Sequence, residues 1–332
     1  MSELIILRDV FLLLLYTLTS IFALISNGIV FRVIFRRGHH LLFQSTIHFP
    51  LSTTRILLLN LALADTLLAV TIPIQFISCS TYFLNHFSIS SYICILNRFM
   101  QVLGYNASTV TICLIAYDRY RLIRNPLSKY YEPKLFRSLL STWILSSLFS
   151  ASCLLSTKSQ IYFPSTRTFI GCQILLPTIA KDFSNGYILK RRIFCAMISF
   201  YIIPLVTVTI LCVLTMRVIF RRSTIGVQRF QSFKQTRRRS LVLLLMTAIA
   251  FALSRTPIYL VHLHEFLIAS SKTSPTRSVR ASNLCNYSTL YLLFYWLSIS
   301  SCCHNPIIYN WFNRRFRLLV VDCYRSILYC GK

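Results

Sequence analysis

Negative charge is nearly missing from this chain: 8 Asp and Glu stand against 35 Lys and Arg, a formal net charge of +27 over 332 residues. Charge of either sign is itself scarce, at 13% of positions, and there are only 7 glycines. No Gly-rich loop is present to cradle a phosphate, which argues against an ATP-driven pump. No internal repeat or low-complexity run is visible, which weighs against the repeat-built plan of many transporters. Nor do Ser, His and Cys residues gather into a catalytic constellation, so the chain does not read as an enzyme and implies no cofactor. His262 and His264 lie two apart on one helix, point to different faces, and do not read as a metal site.

What the chain has in excess is apolar sequence. Hydrophobic residues make up 55% of it and the mean hydropathy is +0.62. That is more than one soluble core can absorb, so the chain reads as an all-α polytopic membrane protein. The basic residues fall in short loops between apolar runs, which favours a membrane-orientation signal over a nucleic-acid surface. Seven runs can be counted: about Val10 to Phe35, Ile56 to Cys79, Cys94 to Pro126, Leu135 to Ser156, Ile193 to Phe220, Leu241 to Ile268 and Tyr287 to Phe312. The first is too long for a signal-peptide core and has no basic flank ahead of it, so it is read as a helix that stays in the protein. Pro73, Pro204, Pro257 and Pro306 fall inside runs, where neighbouring groups re-satisfy the freed carbonyl and the helix kinks.

Orientation follows from the loops. One set collects Arg32, Arg36 and Arg37, then Arg119, Arg121, Arg124, Lys129, Lys134 and Arg137, then Arg217 to Arg239, and finally Arg314, Arg315 and Arg317. These ends belong in the cytoplasm, which places the N-terminus outside. The chain then divides into an outer N-terminus (1–9), a seven-helix domain (10–312), and a cytoplasmic amphipathic eighth helix and tail (313–332). The first inner loop, Gly38 to Thr54, is long. The outer stretch from Lys158 to Arg192 carries six basic residues and Asp182 alone. It reads either as an attractor for an anionic ligand or as a solvated surface with snorkelling side chains.

Asn27, Leu61-Ala62-xx-Asp65, Cys94, Asp118-Arg119-Tyr120, Trp143, Cys172, Pro204, Phe251 with Pro257, and Asn305-Pro306-xx-Tyr309 fall in order along the runs. Together they resemble the per-helix signatures of rhodopsin-like (class A) G-protein-coupled receptors. The resemblance implies a seven-helix bundle in the plasma membrane that captures a ligand outside and activates a heterotrimeric G protein inside, with arrestin as a further partner. The seventh run, from Tyr295-Trp296 through Asn305-Pro306-Ile307-Ile308-Tyr309 to Arg317, is similar to that of neuropeptide Y, neuropeptide F and tachykinin-type receptors. Gln101 stands where aminergic receptors place an Asp, so a protonated amine would lack a buried counter-ion. The resemblance also makes Cys94 and Cys172 a disulfide. Cys323 and Cys330 follow the amphipathic stretch and read either as palmitoylation sites or as free thiols.

The switch is expected at Asp118, Arg119, Tyr120, Pro257, Asn305, Pro306 and Tyr309. At rest Arg119 is expected to pair with Asp118 beside it. An acidic partner at the base of the sixth helix is replaced by Arg237-Arg238-Arg239, so appreciable ligand-independent signalling is expected. Where the family resembles Cys-Trp-x-Pro, this chain has Ser254-Arg255-Thr256-Pro257. Arginine cannot lose its charge and needs an anion when buried. Family resemblance would make Asp65, Ser108, Ser301 and Asn305 a sodium pocket, with Asn27 in the same buried polar set. Arg255 then either takes the cation's place by pairing with Asp65, directly or through water, or faces the ligand and binds its carboxylate. Gln75, Gln101, Tyr105, Tyr259, His262, Tyr291 and Tyr295 are the ligand-pocket candidates, with hydrogen-bonding tips and aromatic faces suited to an extracellular peptide. A chemosensory receptor, or one for a lipid or acidic small molecule, would share this frame. A transporter or channel is the remote alternative, because a conducting path needs more intramembrane charge than Asp65 and Arg255.

Overall fold

The computed structural model describes residues 2–44, 53–77, 91–125, 132–154, 157–162, 169–174, 194–223, 231–271, 289–312, 317–318 and 320–321. The helices are α1 (Ser2–Gln44), α2 (Thr53–Ile77), α3 (Ser91–Arg124), α4 (Glu132–Leu154), α5 (Ile203–Ser223), α6 (Gln231–Ser271), α7 (Thr289–Ile299) and α8 (Ser301–Phe312). α7 and α8 are the two halves of the seventh run, broken at Ser300. All seven expected runs are therefore helical, and residues 317–318 and 320–321 are helical where the amphipathic eighth helix was expected. Helix is the only open-ended backbone form that satisfies its own N–H and C=O groups in hydrocarbon. Among the described residues five helices are long and apolar enough to cross a membrane: 6–35, 53–77, 92–124, 194–221 and 241–264.

Bounds differ from the sequence reading at the ends. α1 begins at Ser2 and runs to Gln44, so much of the long first inner loop is helix. A β-hairpin of β1 (Thr157–Tyr162) and β2 (Phe169–Ile174), antiparallel with Ser159 opposite Cys172, is an addition the sequence did not suggest. The fifth helix opens with a π turn, Ile198–Ile202, in which Ile203 N–H reaches back to the Ile198 carbonyl. The wider turn sits just before Pro204, whose ring would otherwise crowd the carbonyl four residues back.

Helix neighbours run α1–α2–α3–α4, then α3–α5–α6, and α6 meets α7 and α8, with α8 returning to α1. The ring is closed and α3 is its centre: 56% of its most apolar window is buried, against 28% for α1. α3 comes close to α2 at Gly104, where a Cβ would lie 2.8 Å from the Ala64 carbonyl oxygen and 2.9 Å from the Leu68 nitrogen. Both are backbone atoms, so any larger residue forces the helices apart.

α1 shows how the sequence sets the packing. Leu12, Tyr16, Ser20, Ala23, Asn27, Val30 and Ile34 recur every three or four residues and are all buried. Leu14, Leu18, Ile21, Phe22 and Ile25 on the other side are exposed, as a lipid-facing surface requires. The polar members of the inner stripe have a specific task. Pro73 has no N–H to give the Ala69 carbonyl, and Pro306 has none for Cys302. Ser20 Oγ donates to Ala69 O at 2.7 Å, and Asn27 Nδ2 donates to Cys302 O at 3.1 Å. One helix thus repairs two proline breaks.

This predicts a conditional effect. Ser20→Ala should destabilise the purified protein by about 1–3 kcal/mol, because a buried carbonyl is left unpaired. In a Pro73→Ala background, where residue 73 can donate to Ala69 itself, the same change should cost much less. Equal melting-temperature losses in both backgrounds would refute the assignment.

Candidate functional site

The polar side chains inside the bundle form three levels along α3, because Asn97, Gln101, Tyr105, Ser108 and Thr109 follow one another at helical spacing.

At the outer level Arg98 Nη1 donates to Gln101 Oε1 at 2.8 Å, and the Tyr105 hydroxyl lies 3.1 Å from Ser298 Oγ. Tyr295 neighbours Arg98, Gln101 and Tyr105. On the facing side the Tyr201 and Tyr259 rings stack with centroids 4.6 Å apart, Tyr259 and His262 are 6.5 Å apart, and His262 meets Tyr291 edge-on at 5.9 Å. The pocket candidates Gln101, Tyr105 and Tyr295 join Tyr259, His262 and Tyr291 through the contact of Tyr105 with Tyr259. Gln75 stands apart on α2, its Oε1 3.5 Å from Asn97 Nδ2.

The middle level holds the buried polar set. Asp65 accepts from Ser108 Oγ at 2.7 Å through Oδ1 and from Asn305 Nδ2 at 2.9 Å through Oδ2. Asn27 joins through the Cys302 carbonyl instead of through Asp65. Arg255, 1% exposed, is the largest fully buried side chain among the described residues. The direct Arg255–Asp65 ion pair does not form: among the described residues the only ion pair is Arg8–Asp9, 2.8 Å. Asp65 is instead satisfied by neutral donors on both oxygens. Arg255 gives Nη1 to Thr109 Oγ1 at 2.5 Å and Nη2 to Ser301 Oγ at 3.5 Å, and its guanidinium lies over the Tyr105 ring, 3.5 Å from the centroid. The set does not fit a sodium ion, because one of its four oxygen donors, Ser301, already faces a permanent positive charge.

At the inner level the expected Asp118–Arg119 pairing is also not formed. Adjacency on a helix does not itself decide pairing: Arg8 and Asp9 pair, whereas Asp118 has another partner. Asp118 turns to α2, where Thr54 Oγ1 donates to its Oδ2 at 2.8 Å. Arg119 has no hydrogen bond or ion pair among the described residues and neighbours Tyr309. Tyr120 accepts from Arg124 Nη1 at 3.0 Å. Tyr309 packs on the core that contains Cys212 and Phe251, and Pro306 is buried beside it. Pro257 lies inside α6, two residues from Arg255.

Cys94 is buried and disulfide-bonded. The side chain of Cys172 lies outside the described residues, though β1 and β2 both pack against α3. Cys323, Cys330 and the side chains of Arg237, Arg238 and Arg239 also lie outside them. Sequence reasoning missed Tyr201, Arg98, Thr109 and Thr54. Three carried a signal: Arg98 and Thr109 extend the α3 stripe by one turn each way, and Tyr201 sits one turn before Pro204.

The chain matches the family model described as 7 transmembrane receptor (rhodopsin family) over residues 44–309. It is 27% identical over 317 residues to the tachykinin-like peptides receptor 86C of Drosophila melanogaster, covering 92% of this chain and 56% of that protein. It is 25% identical over 299 residues to the neuropeptide F receptor of Drosophila melanogaster, covering 84% and 58%. It is 23% identical over 340 residues to the neuropeptide Y receptor type 6 of Mus musculus, covering 97% and 82%. The chain thus spans a little over half the length of the two Drosophila relatives.

The inner level yields a prediction. Thr54→Val keeps the shape and removes the donor to Asp118, which should lower stability by about 1.5–3 kcal/mol, the range for a hydrogen bond to a charged group. The released carboxylate is then free to engage Arg119, so ligand-independent second-messenger output should fall at matched surface expression. Unchanged melting and unchanged output together would show that Thr54 holds nothing.

Proposed function

The chain belongs to the rhodopsin family of seven-transmembrane receptors, and on that footing we propose that it binds an extracellular peptide and activates a heterotrimeric G protein. It is a multi-pass membrane protein, and its family is one of receptors, not enzymes. The observation that carries the transducing half is Arg119: its neighbouring carboxylate is engaged by Thr54, leaving the guanidinium available at the inner end of the central helix. The peptide half is supported by the tyrosine, histidine and glutamine groups of the outer level, and by what the relatives are named for. A receptor for a lipid or an acidic small molecule would use the same frame, but the named relatives favour a peptide.

In this reading the protein lies in the plasma membrane with its N-terminus outside and its C-terminus in the cytoplasm, where arrestin is a second partner. Cys94 pairs with Cys172, holding the β-hairpin against the outer end of α3 over the ligand entrance. A disulfide closing a loop of this length contributes roughly 2–4 kcal/mol. Cys323 and Cys330 serve as lipid anchors beside the amphipathic stretch. With Asp118 occupied and arginines, not an acid, at 237–239, basal signalling stands above background.

Cells expressing the full chain with a promiscuous G-protein reporter, screened against a neuropeptide library, test the reading. At least one peptide should raise the signal, and Arg119→Gln should return it to the level of untransfected cells while surface expression is kept. A response that survives Arg119→Gln would sink the transducing role.

A further inference from the structure

Arg255 is the least explained group in the bundle. It is 1% exposed, cannot lose its proton, and has no carboxylate within 4.0 Å among the described residues. Its terminal nitrogens meet only the neutral hydroxyls of Thr109 and Ser301, and its face covers Tyr105. Its Nε is buried with no partner. Asp65 acts on it through space but forms no contact ion pair with it. Asp65 below is held by Ser108 and Asn305, Tyr105 and Tyr259 are phenols, and His304 of α8 adds no negative charge.

A second, independent observation lies one turn outward. Gln101 is 3% exposed, its Oε1 is taken by Arg98, and its Nε2 is buried with no partner. Gln101 and Tyr105 are four residues apart on α3, stacked about 6 Å from each other on one face. Two donors short of partners therefore lie next to Tyr105: a fixed cation over its ring and, one turn outward on α3 beside Tyr295, an amide. Two donors left over, one charged, call for a group that only accepts.

We propose that Arg255 and Gln101 form a subsite for a carboxylate carried by the ligand. This rests on the receptor reading above and narrows it to ligands with a free acidic group. The planar guanidinium presents its Nε and Nη edge as a fork that matches the two oxygens of a carboxylate. The amide of Gln101 holds the ligand on the outer side, and Tyr105 forms the wall between. The basic outer stretch, six basic residues against Asp182 between Lys158 and Arg192, draws such a ligand toward the opening.

The test uses the full-length chain purified in detergent, with acetate as the probe. Its melting temperature is followed against rising sodium acetate or sodium chloride, with the bulky HEPES anion keeping ionic strength constant. Acetate should raise it saturably by a few degrees, and chloride should not. Arg255→Met should abolish the rise. Should that variant fail to fold, Gln101→Met should move the half-saturating acetate concentration up several-fold. No rise with acetate overturns the subsite, and an equal rise with chloride overturns it in favour of a resident halide. In cells, each active peptide is remade with its carboxylates amidated. A large loss of potency supports the subsite, while equipotent amides overturn it and leave the peptide reading standing. An acetate shift without any active peptide supports the subsite and sinks the peptide reading.

Discussion

A carbonyl oxygen in hydrocarbon has no water to turn to, so every proline placed inside a membrane helix creates a demand that some other element must meet. In this bundle two such demands, at Ala69 and Cys302, are met by Ser20 and Asn27 of α1. Tyr16 adds a bond to the Leu292 carbonyl at 2.9 Å, and Trp296 Nε1 donates to Thr19 at 2.8 Å. Three of these four bonds end on backbone, so they fix where α2, α7 and α8 run, whatever side chains those helices carry. The position of Asp65, one turn before Ala69, and of Asn305, one turn after Cys302, follows from that fixing. The buried polar cluster at the middle level is downstream of α1.

α3 does for the depth of the bundle what α1 does for its rim. Thr111 accepts from Asn60 Nδ2 at 2.8 Å, and Asn60 in turn accepts from Trp143 Nε1 at 2.8 Å, so α2, α3 and α4 are locked through one amide whose donor and acceptor are both used. Above this lock α3 offers Ser108 to Asp65 and Thr109 to Arg255; below it, Asp118 takes Thr54. Because Gly104 lets α2 approach to backbone contact, these bonds are short and register-specific. Shifting α3 along its axis by one turn would misalign all of them together, which makes α3 a rigid rod between the outer and inner levels.

Much of this was legible in the sequence. The seven runs and the prolines follow from hydropathy and residue chemistry, and the grouping of Asp65 with Ser108 and Asn305 from the family resemblance. The misses have physical causes. Asp118 and Arg119 are adjacent in sequence, and nothing in the sequence shows that Thr54 of α2 takes the carboxylate instead. For Arg255 the sequence leaves two partners open, Asp65 or a carboxylate of the ligand. The sequence cannot say that neutral donors from α3 and α8 already occupy both carboxylate oxygens. The hairpin was missed because Thr157–Tyr162 and Phe169–Ile174 lack strong alternation and no two-residue turn joins them. The proline repairs were visible only as a general expectation, since naming Ser20 and Asn27 as donors requires the helix order around the ring.

The middle level also carries an asymmetry that bears on how the two ends communicate. Arg255 sits on α6 two residues before Pro257, and its bond to Thr109 and its stack on Tyr105 tie α6 to α3 there. A buried cation held only by neutral groups is poorly compensated. At the carboxylate subsite proposed above, an anion arriving from outside would compete for the guanidinium and loosen that tie. A ligand shifts a conformational equilibrium only by the difference in its affinity for the two states. Here the difference would come from one side chain changing partners beside a proline kink. The inner ends of α3 and α6 carry Arg119 and the arginines at 237–239. Like charges carried by those two ends would oppose close approach, so α6 would need no further push once the outer tie is released. Transmission then requires no chain of contacts reaching from the pocket to the cytoplasm, only a rod that stays in place and a kinked helix released from it.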